Sequence, residues 1–205
     1  SGGVATLRAR AEDLPVPAAE RMLHATFDVA GDMDRAGGWE LAGRLAVPDL
    51  DAGGSATASL EAAFDATPRR VTLRRVRYAD AVSALDGGGT VDFRVPFDPF
   101  ALGFLRALDA EYRFALAAAG SAETYSLEGA AADGALDARI RFTSSPLRRL
   151  GSFAIRGEVS GTGRLTGPFA SPDVTLSLSL VNGMLATDPL ALASAVRISG
   201  RRLEV

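Results

Sequence analysis

Between residues 173 and 181 the chain alternates without a break. Val174, Leu176, Leu178 and Leu180 fall on one side, and Thr175, Ser177, Ser179 and Val181 on the other. That period of two is the signature of a β-strand with one apolar and one wet face, and it excludes a helix. The residues just before it add a second constraint. Gly157, Gly161, Gly163 and Gly167 are followed by Pro168 and by Ser171-Pro172-Asp173, so this stretch is expected to form short strands punctuated by turns or bulges.

The same alternation recurs along the chain. Leu23, Ala25, Phe27 and Val29 oppose His24, Thr26 and Asp28, and Trp39, Leu41, Gly43, Leu45 and Val47 share one face. Turns are expected at Gly31-Asp32 and Gly37-Gly38, a weak strand over residues 4–10 that Pro15 and Pro17 interrupt, and a hairpin connection at Gly87-Gly88-Gly89. Further strands are predicted over residues 56–64, 69–78, 91–97, 112–116, 139–143 and 153–159, with one or two more across 195–205. Within 69–78 the apolar parity switches between Leu73 and Val76, as at a β-bulge. Residues 98–108 read as a helix: Asp98 caps it, Pro99 suits its first position, and Phe100, Phe104 and Leu108 recur every four residues and should lie on the sheet. A short helical connector is expected over 144–150. Leu41, Gly43, Leu45 and Pro48-Asp49 match Leu165, Gly167, Phe169 and Pro172-Asp173 in spacing, which suggests a repeated supersecondary unit.

A chain of 205 residues with 47% hydrophobic residues fits one all-β domain with a sizeable core. Every basic side chain apart from one histidine is an arginine, which reads as coding bias and not chemistry. A net charge of −3 gives no long-range attraction for nucleic acid. The absence of cysteine removes disulfides, thiolate metal sites and a thiol nucleophile, and suits an exported bacterial protein. No run of apolar residues is long enough to span a bilayer, and Ser1-Gly2-Gly3 reads as a cloning remnant, so the chain is expected to be one piece of a longer protein.

Apparent catalytic or binding motifs dissolve on inspection. Gly161 to Gly167 has the wrong spacing for a dinucleotide fingerprint, and Gly87-Gly88-Gly89 lacks the lysine and hydroxyl of a phosphate loop. His24 has no acidic or histidine neighbours in the pattern, and Asp109 and Glu111 have no second acid brought near them. The doublets Arg69-Arg70, Arg74-Arg75, Arg148-Arg149 and Arg201-Arg202 lie among acids and read as solvated faces. No catalytic residue, metal ligand or cofactor is assigned, and the expectation is a protein that is not an enzyme.

The order Gly-x-Gly-x-Leu-x-Gly from Gly161 to Gly167, then Pro172-Asp173, the alternating strand and Asn182-Gly183, resembles the repeat of TamB-like proteins of the AsmA superfamily, the inner-membrane component of the translocation and assembly module. The resemblance implies a long sheet folded lengthwise into a trough with an apolar interior, carried in the periplasm by an inner-membrane-anchored protein that reaches toward an outer-membrane partner of the Omp85 type. A β-sandwich is the alternative that alternation alone leaves open. On the trough reading, the groove is lined by Leu60, Phe64, Val71, Leu73, Phe93, Val95, Phe114, Leu116, Ile140, Phe142, Leu165, Val174, Leu176, Leu178 and Leu180. The implied cargo is the acyl chains of phospholipids passing between the two membranes. The alternative role is a scaffold that assembles or translocates outer-membrane or autotransporter proteins by strand pairing. Edge-to-edge self-association through the terminal strands is also expected.

Overall fold

The computed structural model describes residues 5–18, 21–33, 38–51, 57–97, 109–150, 155–168, 172–185, 187–199 and 202–204. They form one antiparallel sheet in which every strand pairs with its neighbours in sequence, from β1 to β13. The strands are β1 Ala5–Ala18, β2 Arg21–Met33, β3 Trp39–Asp51, β4 Thr57–Thr67, β5 Arg70–Ala79, β6 Ala84–Phe93 and β7 Ala110–Ala118. After these come β8 Thr124–Ala132, β9 Ala135–Pro146, the single helical turn α1 Leu147–Leu150, β10 Ile155–Pro168, β11 Asp173–Leu185, β12 Asp188–Ser199 and β13 Arg202–Glu204. The first and last strands are not paired, so the sheet is an open, curved trough and neither a barrel nor a sandwich of two sheets. Twelve spacings of about 4.8 Å give it a length of roughly 58 Å.

Odd-numbered strands run toward what we call the upper rim, where β5–β6, β7–β8 and β9–β10 are joined; even-numbered strands run back to the lower rim. The curl has local causes. Register slips between Ala11 and Leu14, Val47 and Leu50, Arg156 and Glu158, and Leu180 and Gly183 all fall in the upper halves of their strands. The slip expected between Leu73 and Val76 is present in mid-strand. Each slip places one residue too many on one strand and bends it. Asn182 adopts positive φ at two of these slips and Ser144 at a further one, between Val159 and Gly161 of β10, and Gly157, at φ 140°, lies against Gly183 of the neighbouring strand.

Several sequence expectations are corrected. Gly31-Asp32 and Gly87-Gly88-Gly89 are not turns but lie inside β2 and β6, and residues 155–168 form one continuous strand instead of several short ones, with the expected bulges present as register slips around Gly157 and before Gly161. The glycines of β10 serve the packing of the trough face, as described below, and only Gly157 and Gly167 hold a left-handed backbone there. Pro15 and Pro17 do not end β1, because a proline is tolerated on an edge strand where one ladder is missing. The strand expected over 91–97 runs instead over Ala84–Phe93, and β8 carries an alternation, Tyr125, Leu127, Ala131, that the sequence reading passed over. Ser144, Ser145 and Pro146 remain in β9, so the connector is only the turn of α1. The apparent repeat does not hold: its first copy lies within β3, whereas its second begins at the end of β10 and finishes at the start of β11. The helix expected over 98–108 lies outside the described residues.

Candidate functional site: an apolar trough

Alternation along each strand and register between strands together sort the side chains onto two faces. Three rows cross the inner face. One runs Gly31, Leu41, Ala66, Val71, Val91, Tyr112, Gly129, Ala138, Leu165, Val174. The next runs Val29, Gly43, Phe64, Leu73, Gly89, Phe114, Leu127, Ile140, Gly163, Leu176, Val196. The third runs Leu45, Ala62, Val76, Gly87, Leu116, Tyr125, Phe142, Gly161, Leu178, Ser194. No charged residue interrupts any of the three.

The fully buried residues sit mainly at the two rims, not on the floor between them. Trp39, Ala66, Phe93, Ala110 and Ala131 are buried near the lower rim, and Val47, Ala58, Leu85, Ala118 and Val159 near the upper. Phe64, Leu73, Phe114, Leu127, Ile140, Phe142, Leu176 and Leu178, on the floor, stay half-buried because a single sheet has no second layer to cover its inner face. A contiguous accessible apolar surface of this kind makes the floor a candidate binding surface.

Glycines keep that floor level. A Cβ at Gly43 would come within 2.5 Å of Phe64 Cζ, one at Gly89 within 2.2 Å of Phe114 Cδ1, and one at Gly161 within 2.6 Å of Phe142 Cζ and 2.9 Å of Leu178 Cδ2. The large side chain of one strand therefore occupies the space above the glycine of the next, which relieves the crowding that curvature imposes on the inner face.

Of the residues expected to line a groove, Leu60, Phe64, Val71, Leu73, Phe114, Leu116, Ile140, Phe142, Leu165, Val174, Leu176, Leu178 and Leu180 share the inner face. Phe93 shares it too but is buried at the lower rim, stacked on Phe97 at 4.8 Å between ring centroids. Val95 does not belong there. It is 59% exposed, because β6 ends at Phe93 and, after one last in-register bond from Arg94 N–H to the Asp109 carbonyl, the chain bends at Arg94 and Val95, so the strand parity no longer applies. Val29, Gly43 and Leu45, which the alternation already places on apolar faces, line the floor as well although they were not assigned to the groove; Leu127 and the other floor glycines were missed, and the period of two extended through glycine would have found them.

The outer face is charged and self-paired. Glu61, Arg77 and Asp86 stand side by side on successive strands, as do Arg113, Glu128 and Arg139. Arg164 grips Asp137 through two bonds of 2.8 and 2.6 Å, and Arg94 meets both Asp109 and Glu111. A hollow of about 360 Å³ on this face is lined by the same alternating ions. Exposed pairs of this kind contribute little to stability.

Among the described residues, the arginine doublet that departs from the solvated reading is Arg148-Arg149, through Arg149 alone. From α1, Arg149 reaches over the Tyr78 ring to Asp80 in the β5–β6 turn, to Ser83 Oγ at 2.7 Å, and to Glu123 in the β7–β8 turn at 2.7 Å. The side chains of Arg149, Asp80 and Glu123 are only 7, 5 and 3% exposed. Tyr125 Oη donates to Glu123 at 2.7 Å and lies 2.6 Å from Ser145 Oγ. Burial pushes Tyr125 up to about 12, an effect the Ser145 contact opposes and the adjacent Glu123 carboxylate reinforces. Burial alone would raise Asp80, but the amides of Val82 and Ser83 and the Arg149 guanidinium outweigh it and hold the carboxyl below its usual range. All of these polar atoms are satisfied.

Fold and face together define an open β-trough with an apolar floor, a charged exterior and a buried ionic cluster at its upper rim. Comparison with protein-family models, curated proteins and solved structures gives no match. Among the described residues no group of three or more histidine, cysteine or acidic side chains is placed to hold a metal, and no helix is long and apolar enough to cross a membrane.

Proposed function

We propose that the trough carries the acyl chains of phospholipids and that the chain is a segment of a periplasmic bridge between inner and outer membranes, as in the TamB-like proteins that its glycine and strand pattern resembles. The observation that carries this reading is the continuity of the three inner rows, free of charge from β3 to β11. An acyl chain laid along them exchanges water for hydrocarbon at about 0.8 kcal/mol per methylene shielded. Because every strand offers the same kind of contact, that gain changes little as the chain moves from one strand to the next, while the headgroup stays in water at the open mouth. The glycine-beside-aromatic packing supports the same reading, since it leaves a floor without ridges.

The test is native mass spectrometry of protein purified from cells, on the unaltered chain and on Leu178→Asp and Ser177→Asp. Leu178 lies on the floor against Gly161, and Ser177, one residue away, is exposed on the outer face. Phospholipid should co-purify with the unaltered chain and with Ser177→Asp, and fall several-fold in Leu178→Asp. No lipid on the unaltered chain, or equal loads on the two variants, would refute the proposal.

A further inference from the structure

The two rims of the trough are fastened by different chemistry. At the lower rim the fastening is apolar: Phe97 stacks on Phe93, meets Trp39 edge-on at 6.5 Å, and its N–H donates to the Pro68 carbonyl, which ties together the ends of β3 to β6. At the upper rim it is ionic. In a flat sheet the ends of β5 and β9 would stand four strand steps apart, roughly 19 Å. Yet one side chain, Arg149, issuing from just beyond β9, bonds to Asp80 beyond β5 and to Glu123 between β7 and β8. The upper ends of five strands are therefore gathered round a single guanidinium.

We propose that Arg149 is a releasable pin: it holds the upper rim of β5 to β9 drawn in over the floor, and when it withdraws with α1 this rim swings outward while the lower rim stays closed. The asymmetry follows from solvation. Opening the lower rim exposes three aromatic rings to water, a cost with no return. Opening the upper rim between β5 and β9 uncovers Leu85 and Ala118 along with three ions, but the water the ions regain offsets much of the lost attraction, which is why buried ion pairs add little net stability while still fixing one arrangement. The carrier of the pin is a helix of a single turn, too short to hold its shape without that contact. The pin rests on the trough itself and not on what the trough carries.

The chain contains no cysteine, so two introduced ones report without background. Ala81→Cys and Arg69→Cys place spin labels just beyond the two ends of β5, and the distance between them reads how far that strand is folded. It is measured by pulsed electron resonance on delipidated protein, so that the result is independent of lipid carriage. Arg149→Leu should lengthen and broaden the distance by about one strand spacing, 5 Å, whereas Phe97→Ala, at the other rim, should change it less. An unchanged distance in folded Arg149→Leu, or an equal change in Phe97→Ala, would overturn the proposal. Should Arg149→Leu fail to fold, Asp80→Asn removes one charge at constant shape; a longer distance there supports the pin and an unchanged one overturns it.

Discussion

Gly161 and Gly163 lie two residues apart on the inner face of β10, and replacing each by alanine should have unequal consequences. At Gly161 the atoms nearest to the new methyl would be side-chain ends, Phe142 Cζ at 2.6 Å and Leu178 Cδ2 at 2.9 Å. A ring edge and a leucine methyl on a half-covered floor have room to pivot, so the cost is at the low end of overpacking, about 1 kcal/mol. Alanine returns about 0.5–1 kcal/mol by restricting the unfolded chain. The net change at Gly161 should therefore lie within about 1 kcal/mol of zero. At Gly163 the methyl would stand 2.3 Å from the Thr175 carbonyl oxygen and 2.4 Å from Leu176 Cδ2. A carbonyl in the ladder cannot rotate away without β10 and β11 parting, so a hydrogen bond worth about 1 kcal/mol is lost on top of the overpacking. Gly163→Ala should thus destabilise by about 2–3 kcal/mol. Urea unfolding followed by circular dichroism, with Trp39 fluorescence as a second probe, measures both. Equal losses, or a larger one at Gly161, would refute the argument that backbone and side-chain neighbours decide what each glycine is for.

Two further outcomes follow from the rims. Because Asp80 is held below the usual carboxylate range, the stability it contributes is present above about pH 4 and lost as the pH falls through its depressed value; melting temperatures should decline on that acid side and decline less in Asp80→Asn, and identical acid slopes would refute the assignment. Phe97→Ala should cost about 1–2 kcal/mol by uncovering Trp39 and Phe93, with a red shift of the tryptophan emission; an unshifted spectrum would mean that Phe97 does not shield the indole.

What the sequence determined by itself was the material of the trough. A period of two in apolar residues is local information, since side chains of a strand alternate whatever the strand pairs with, and it placed Leu176 and Leu178 opposite Ser177 and Ser179, as the exposure of those serines bears out. The slip between Leu73 and Val76 was legible for the same reason, as a change of parity within one strand. Three things were decided only by tertiary structure. Glycine carries no side chain to declare a face, so Gly87, Gly89, Gly161 and Gly163 read as turns or bulges until the register set Phe114, Phe142 and Leu176 beside them. Val95 kept the parity of its strand in sequence but not in space, because the chain bends at Arg94 and Val95 and leaves the ladder there. Arg149 is chemically indistinguishable from its exposed neighbour Arg148, and its acids lie 69 and 26 residues away. Only the curl of the sheet, which gathers the ends of five strands at one rim, brings those three charges together and removes the water that would otherwise have separated them.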